Sequence, residues 1–301
     1  MFKNVRFYRL TGTWPESEHE LAEALSTASF QPCGPLTEKV SGWEPPSADP
    51  AGPFGRRVDG ADLLQLRSQS RLLPAAAVNE ALEARIEEYR ERMGQEPDRR
   101  EKRRLKELTR DSLMPKTLLR SERTKGFLFL SEKIFGIDAS TPAKAERFLE
   151  YLRAPLGRVD TTDLTFKRSL GELLARIFLG DAPSGINLGR ECRMQDPSDS
   201  RSRVHWIDMD LTDRSIRKHV RDGMKLTHLA IEVGNVMSCV IHENGALSKL
   251  RLLGMNAEKE IEDKDPQARL DAEFVLLTGT LRQLVDVLAR SLGGIDSRKQ
   301  L

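Results

Sequence analysis

Apolar and polar positions alternate from the first residues of the chain. In "FKNVRFYRL", Val5, Phe7 and Arg9 fall on one side and Arg6, Tyr8 and Leu10 on the other, a pattern of strong β-formers that predicts a strand. The period then lengthens. "ESEHELAEALS" sets Leu21, Ala24 and Leu25 at helical spacing behind acidic first-turn residues, which predicts a short helix. "GWEPPSADPAGPFG" is rich in Pro and Gly and reads as a surface loop, after which "DLLQLRS" and "SQSRLLP" return to strand character. Residues 1–74 are therefore expected to form a β-rich lobe.

From Ala75 the apolar residues Val78, Leu82, Ile86, Tyr89 and Met93 recur at steps of four, four, three and four, one stripe along a helix. "GQEP" breaks it, and Asp98 is placed to cap a second helix running to about Met114. A turn that short predicts an antiparallel helical hairpin over 75–122, with arms of about 25 Å at 1.5 Å per residue, projecting as a finger. Residues 123–301 read as an α+β body. "KGFLFLSEKIFGID" predicts a β-hairpin, and Ser140 or Thr141 with Pro142 opens a helix. The pairs Gly234-Asn235 and Asn244-Gly245 divide a three-stranded meander. A C-terminal helix is expected to turn Leu281, Leu284, Val285, Leu288 and Leu292 inward and to stop at Gly293. The fold class expected is α+β, mixed sheet lobes with a projecting helical hairpin.

The 301 residues are ample for a real core, and 39% hydrophobic with 31% charged residues describes a soluble, charge-rich protein. No apolar run approaches the roughly 18 residues that cross a bilayer, and the N-terminus has no signal-peptide core, so a cytoplasmic location is expected. Cys33, Cys192 and Cys239 are scattered and unpaired in spacing, as reduced structural cysteines are. The formal net charge of +2 conceals a strong asymmetry. From Arg99 to Lys125 there are eleven Lys/Arg against four Asp/Glu, so the remainder of the chain is net acidic.

Arg99, Arg103, Lys106 and Arg110 share one helical face, with Arg100 and Arg104 beside them, while Leu105 and Leu108 are left to face the partner helix. Only Glu101, Glu107 and Asp111 lie in the same helix to neutralise that face, so it calls for outside counterions such as phosphates. An ordinary solvated face is the alternative. A second row weighs against it. In "DLTDRSIRKHVRDGMK", Thr212 or Asp213 can cap a helix ending near Gly223, with Arg214, Arg217, Lys218 and Arg221 opposite Ile216 and Val220. Two such helices favour a phosphate-binding surface without sequence preference. Zinc-finger spacing, a helix-turn-helix and aromatic residues among the basic ones are all missing, so base reading and stacking on single strands are not indicated. Duplex backbone binding needs only charge.

A catalytic reading competes. Asp208 and Asp210 in "HWIDMDL" alternate along an expected strand, so their carboxylates would point the same way and, with a third acid, could hold Mg²⁺ for an exonuclease. The five histidines show no ligand spacing and read as surface or satisfied core residues. Neither a P-loop nor a dinucleotide fingerprint is present, so no cofactor is expected. A third reading is a module whose basic arm docks an acidic protein.

Several stretches in order resemble one family. "FKNVRFYRLT", "QPCG", "GWEPP", "RLLPAAAVNEALEARIEE", "LMPKTL", "AKAERFLEYLRAPLG" and "LDAEFVLLTGTLRQLVDVLARSLGG" together resemble the bacterial recombination-associated RdgC family over nearly the whole chain. The resemblance implies a homodimeric ring that encircles duplex DNA on a basic inner surface and restrains RecA-promoted strand exchange. It also implies nucleoid association, and an exonuclease label without a clear catalytic motif behind it. The DNA-holding residues are then expected to be Arg100, Arg103, Arg104, Lys106, Arg110, Lys116, Arg217, Lys218 and Arg221. Two departures stand out. Leu118 replaces the aromatic expected at the finger exit, which turns that contact into an aliphatic one, and Asp208-Met209 replaces a basic-polar pair ahead of the second basic helix.

Overall fold

The computed structural model describes residues 2–47, 49–199, 201–254 and 265–296. In chain order the described elements are β1 (Arg6–Leu10), α1 (Glu18–Ser26), β2 (Lys39–Trp43), β3 (Gly55–Val58), β4 (Ala61–Arg71), α2 (Ala75–Met93) and α3 (Arg99–Leu113). Then follow β5 (Leu119–Phe129), β6 (Ile134–Ile137), α4 (Pro142–Leu156), β7 (Thr161–Asp163), α5 (Leu170–Leu179), β8 (Ile186–Gln195) and β9 (Arg203–Ile207). The chain closes with α6 (Arg214–Arg221), β10 (Lys225–Val233), β11 (Met237–His242), β12 (Leu247–Leu252) and α7 (Pro266–Ser291). The class is α+β, with one seven-stranded and one five-stranded sheet of antiparallel pairings.

The chain divides into two compact units. The smaller comprises Ala28–Glu44 and Leu66–Thr124, and the larger comprises Met1–Thr27, Pro45–Gln65 and Lys125–Leu301. Strands β4 and β5 run from one unit into the other. In the smaller unit β2 pairs with the end of β4, Lys39 opposite Ser70 and Trp43 opposite Leu66, and α2 packs along α3. Where the sequence reads two strand segments around Ser68, the structure has one strand, because no Gly or Pro interrupts Ala61–Arg71.

In the larger unit β6 lies between β1 and β5, and β1 also pairs with β7. The second sheet has the order β12-β11-β10-β8-β9, so the expected meander is its first half. Its inner face carries Leu229, Ile241, Cys192 and Met194 into a core shared with α5 and α7. Helix α5 is additional to the elements expected above: Ser169 caps it, Leu170, Leu173, Leu174, Ile177 and Phe178 are buried at helical spacing, and Gly180 ends it at φ +108°. All three cysteines are unpaired and buried. Burial pushes the Cys192 and Cys239 thiols up to about 12, so they stay protonated and inert.

Candidate nucleic-acid interface

Helix α3 begins at Asp98, whose carboxylate accepts from the Glu101 N–H at 2.7 Å and satisfies one orphan donor of the first turn. Its inward stripe runs at steps of four. Thr109 is fully buried with its hydroxyl donating to the Leu105 carbonyl at 2.7 Å, and Glu101, Leu105 and Leu113 are half-buried beside it. Leu108 is 49% exposed, which corrects the expectation that it faces the partner helix. One residue is a 100° rotation, and the slot that Leu108 was expected to fill is taken by Thr109. On α2, Val78 is buried and Leu82, Ile86 and Tyr89 are half-buried, whereas Met93 at the turn is exposed.

The remaining positions of α3 carry the charge. Arg100, Arg103, Arg104, Lys106 and Arg110 are all exposed, as is Lys116 in the short 3-10 turn Met114–Lys116. The face is more neutralised than its own helix could make it. Arg103 Nε lies 3.3 Å from Glu107 Oε1, Arg104 Nη1 lies 3.7 Å from Glu101 Oε1, and Arg110 pairs with Glu38, which precedes β2. Pairs this exposed contribute only about 0–1 kcal/mol, so a phosphate can replace the carboxylate at little cost. Arg100, Lys106 and Lys116 have no ion pair among the described residues. Leu118 is 78% exposed just ahead of β5.

In the larger unit α6 presents the second row. The Asp213 carboxylate accepts from the Ser215 N–H and hydroxyl, each at 2.7 Å, while Leu211 and Ile216 anchor the helix in the core. Lys218 and Arg221 are exposed. Arg217 is half-buried, and its Nε is a buried donor without a hydrogen-bond partner. The predicted residues thus fall into two groups, Arg100 through Lys116 in one unit and Arg217, Lys218 and Arg221 in the other.

Asp208 and Asp210 do not form the expected strand-face pair. Strand β9 ends at Ile207 because Asp208 takes a left-handed backbone, φ +54°, which destroys the alternation. Asp208 Oδ1 accepts from Arg190 Nε at 2.7 Å. Asp210 Oδ1 accepts from the Thr212 hydroxyl at 2.6 Å and its N–H at 2.9 Å, and those hydrogen bonds hold its carboxyl below the usual range. Asp210 therefore serves the turn ahead of α6, and Asp208 an ion pair with Arg190 of β8. Among the described residues no group of three or more His, Cys, Asp or Glu is arranged to hold a metal ion.

A cluster that the sequence did not reveal lies on the outer face of the second sheet. The register sets His228 opposite both His242 and Arg193, and Arg193 opposite His205. The His228 and His242 rings are 4.0 Å apart between centroids. Glu191 Oε1 lies 2.9 Å from His205 Nε2, and its carboxylate accepts from Lys249 Nζ at 2.6 Å. Burial raises the Glu191 pKa, but the hydrogen bonds from Lys249 and His205 outweigh it and the carboxyl titrates below its usual range. His242 is driven down to about 4, first by burial and then by the positive charge that His228 would add. Only strand pairing brings these residues together. The signal available was the equal seven-residue distance of His228 and His242 from Asn235, a relation that is meaningful once the hairpin turn is fixed.

Comparison with known proteins gives a consistent match. Residues 1–295 match the family model described as "Putative exonuclease, RdgC". The chain is similar to the Recombination-associated protein RdgC of Dechloromonas aromatica, 31% identical over 97% of each chain. It is likewise similar to the proteins of that name from Halorhodospira halophila, 29% identical, and Edwardsiella ictaluri, 28% identical, each over 97% of this chain and 98% of the relative.

Proposed function

The chain belongs to the RdgC family of recombination-associated proteins, and from that premise we propose that it is a non-catalytic clamp on duplex DNA. In this reading two copies close into a ring, α2 and α3 form the projecting antiparallel finger, and DNA is held by its phosphates without sequence preference. The clamp restrains RecA-promoted strand exchange and resides with the nucleoid in the cytoplasm.

The observation that carries the reading is the pair of capped amphipathic helices, α3 and α6, whose basic side chains face solvent while Thr109 and Ile216 face inward. Arg100, Arg103, Arg104, Lys106, Arg110 and Lys116 supply one set of phosphate contacts, and Lys218 and Arg221 the other. Arg217, half-buried beside them with its Nε unpartnered, is the third member of that row. Leu118 serves as an aliphatic contact at the finger exit. The exonuclease alternative gains nothing from Asp208 and Asp210, which are tied to Arg190 and Thr212. No described helix is long and apolar enough to cross a membrane.

The test is anisotropy of a labelled random-sequence duplex with Mg²⁺ present. With about six phosphates neutralised, affinity drops on the order of a thousandfold between about 50 and 200 mM salt. The R103E/R104E variant weakens binding to all sequences alike and flattens that slope. Equal binding by wild type and variant would reduce the arm to a solvated face. A denaturing gel of the same samples shows intact strands, and cleaved DNA would return Asp208 and Asp210 to consideration.

A further inference from the structure

At the root of α2 and α3, within the smaller unit, lies a cavity of about 460 Å³. Lys39 from β2, Arg71 from β4, and Lys106 and Arg110 from α3 line it, with Glu38 as the acid among them. Leu73, Val78 and Met114 form an apolar floor, the latter two buried. Arg71 is locked in place, its Nε and Nη2 donating to the Gly34 carbonyl at 3.2 and 3.0 Å and its Nη1 to the Met114 carbonyl at 3.1 Å. It is a fixed positive charge that cannot swing away. Lys106 has no ion pair among the described residues, so its ammonium is available to a ligand.

We propose that this cavity binds a phosphomonoester with a planar or apolar body, a nucleotide. Even without Lys39, the three cations Arg71, Lys106 and Arg110 outnumber the one carboxylate of Glu38 by two charges, which suits a phosphate dianion better than a singly charged carboxylate. A bare phosphate would leave the half-buried Leu73 and the exposed Ala75 of the lining against water, whereas a nucleobase covers them. The volume lies within the range of roughly 300–1,000 Å³ typical of small-molecule sites. Such a phosphomonoester could come from a free nucleotide or from the 5′ end of a DNA strand. The site shares Lys106 and Arg110 with the phosphate-binding face proposed above and in that respect rests on that reading. Its floor, Lys39 and Arg71 are its own.

The probe is deoxyadenosine monophosphate, titrated calorimetrically beside inorganic phosphate, and the variants are Asn79→Glu and Lys39→Glu. Asn79 lines the cavity from an exposed position of α2, where Glu is the better helix former, so the fold is retained. The nucleotide binds at least tenfold more tightly than inorganic phosphate, and both variants lose at least tenfold. In parallel, closed circular duplex, which has no strand ends, loses far less than tenfold to Asn79→Glu, because Arg100, Arg103, Arg104 and Lys116 lie outside the cavity. If only a 5′-phosphorylated linear duplex gains over its 5′-hydroxyl counterpart, and Asn79→Glu abolishes that gain, the ligand is a strand end and the site still stands. If the nucleotide and the phosphorylated end are both indifferent to the two variants, the inference is wrong. Loss of closed-circle binding by the wild type would instead count against the clamp, leaving the nucleotide result to be read separately.

Discussion

His242 carries little charge at neutral pH because its ring is half-buried against His228 and the hydroxyl of Ser248, 2.8 Å from its Nε2. Arg6 and Arg193 are the charged groups that further disfavour its protonation. Its folded pKa of about 4 lies below the ordinary 6.5, so between those values the unfolded chain takes up a proton that the folded protein refuses. Stability is therefore full above about pH 6.5 and declines as pH falls toward 4, and His228, shifted in the same direction by burial, adds to the slope. Urea unfolding at pH 7 and pH 5 is expected to give a lower midpoint at pH 5, with a smaller difference for His242→Gln. An unchanged difference would assign the slope to other groups. Asp62 illustrates the opposite solution to burial. It is fully buried yet accepts from Arg57 Nε at 2.7 Å and from Trp14 Nε1 at 2.7 Å, so its charge is paired inside the larger unit.

Helix α3 draws little of its stability from packing, since Thr109 is its one buried residue and most of its surface is charged. Local terms therefore decide whether it forms. The cap at Asp98 satisfies the Glu101 amide and sets a negative charge at the positive end of the helix dipole. Asp98→Ala should cost about 1 kcal/mol, read as roughly fivefold faster hydrogen exchange through the first turns of α3 with β10 and β11 unaffected. Uniformly unchanged exchange would mean that the cap is dispensable. The element was legible in sequence because a cap, a charge run and a stop are local signals. Which of Leu105, Leu108 and Thr109 turned inward was not, since an apolar residue one step off the stripe scores as well by composition and loses only on geometry.

For the molecule as a whole, the ring reading makes a mass prediction. Sedimentation equilibrium at micromolar concentration should return about twice the chain mass of 34.0 kDa, and a persistent single-chain mass would remove ring closure from the proposal. The sequence by itself determined the class, most of the period-two and period-3.6 elements, the cap at Asp98, the caps of α4 and α6 to within one residue, and the two basic rows. These depend on side-chain spacing within a few residues, which the covalent chain fixes. Tertiary structure alone decided three further matters. It ended β9 at Asp208, because a left-handed residue leaves no alternation and gives the carboxylate to Arg190. It brought Glu191, His205, His228 and His242 onto one sheet face, because register joins residues far apart in sequence. And it gathered Lys39, Arg71, Lys106 and Arg110 around one cavity, because charges on separate elements converge only when their strands and helices pack.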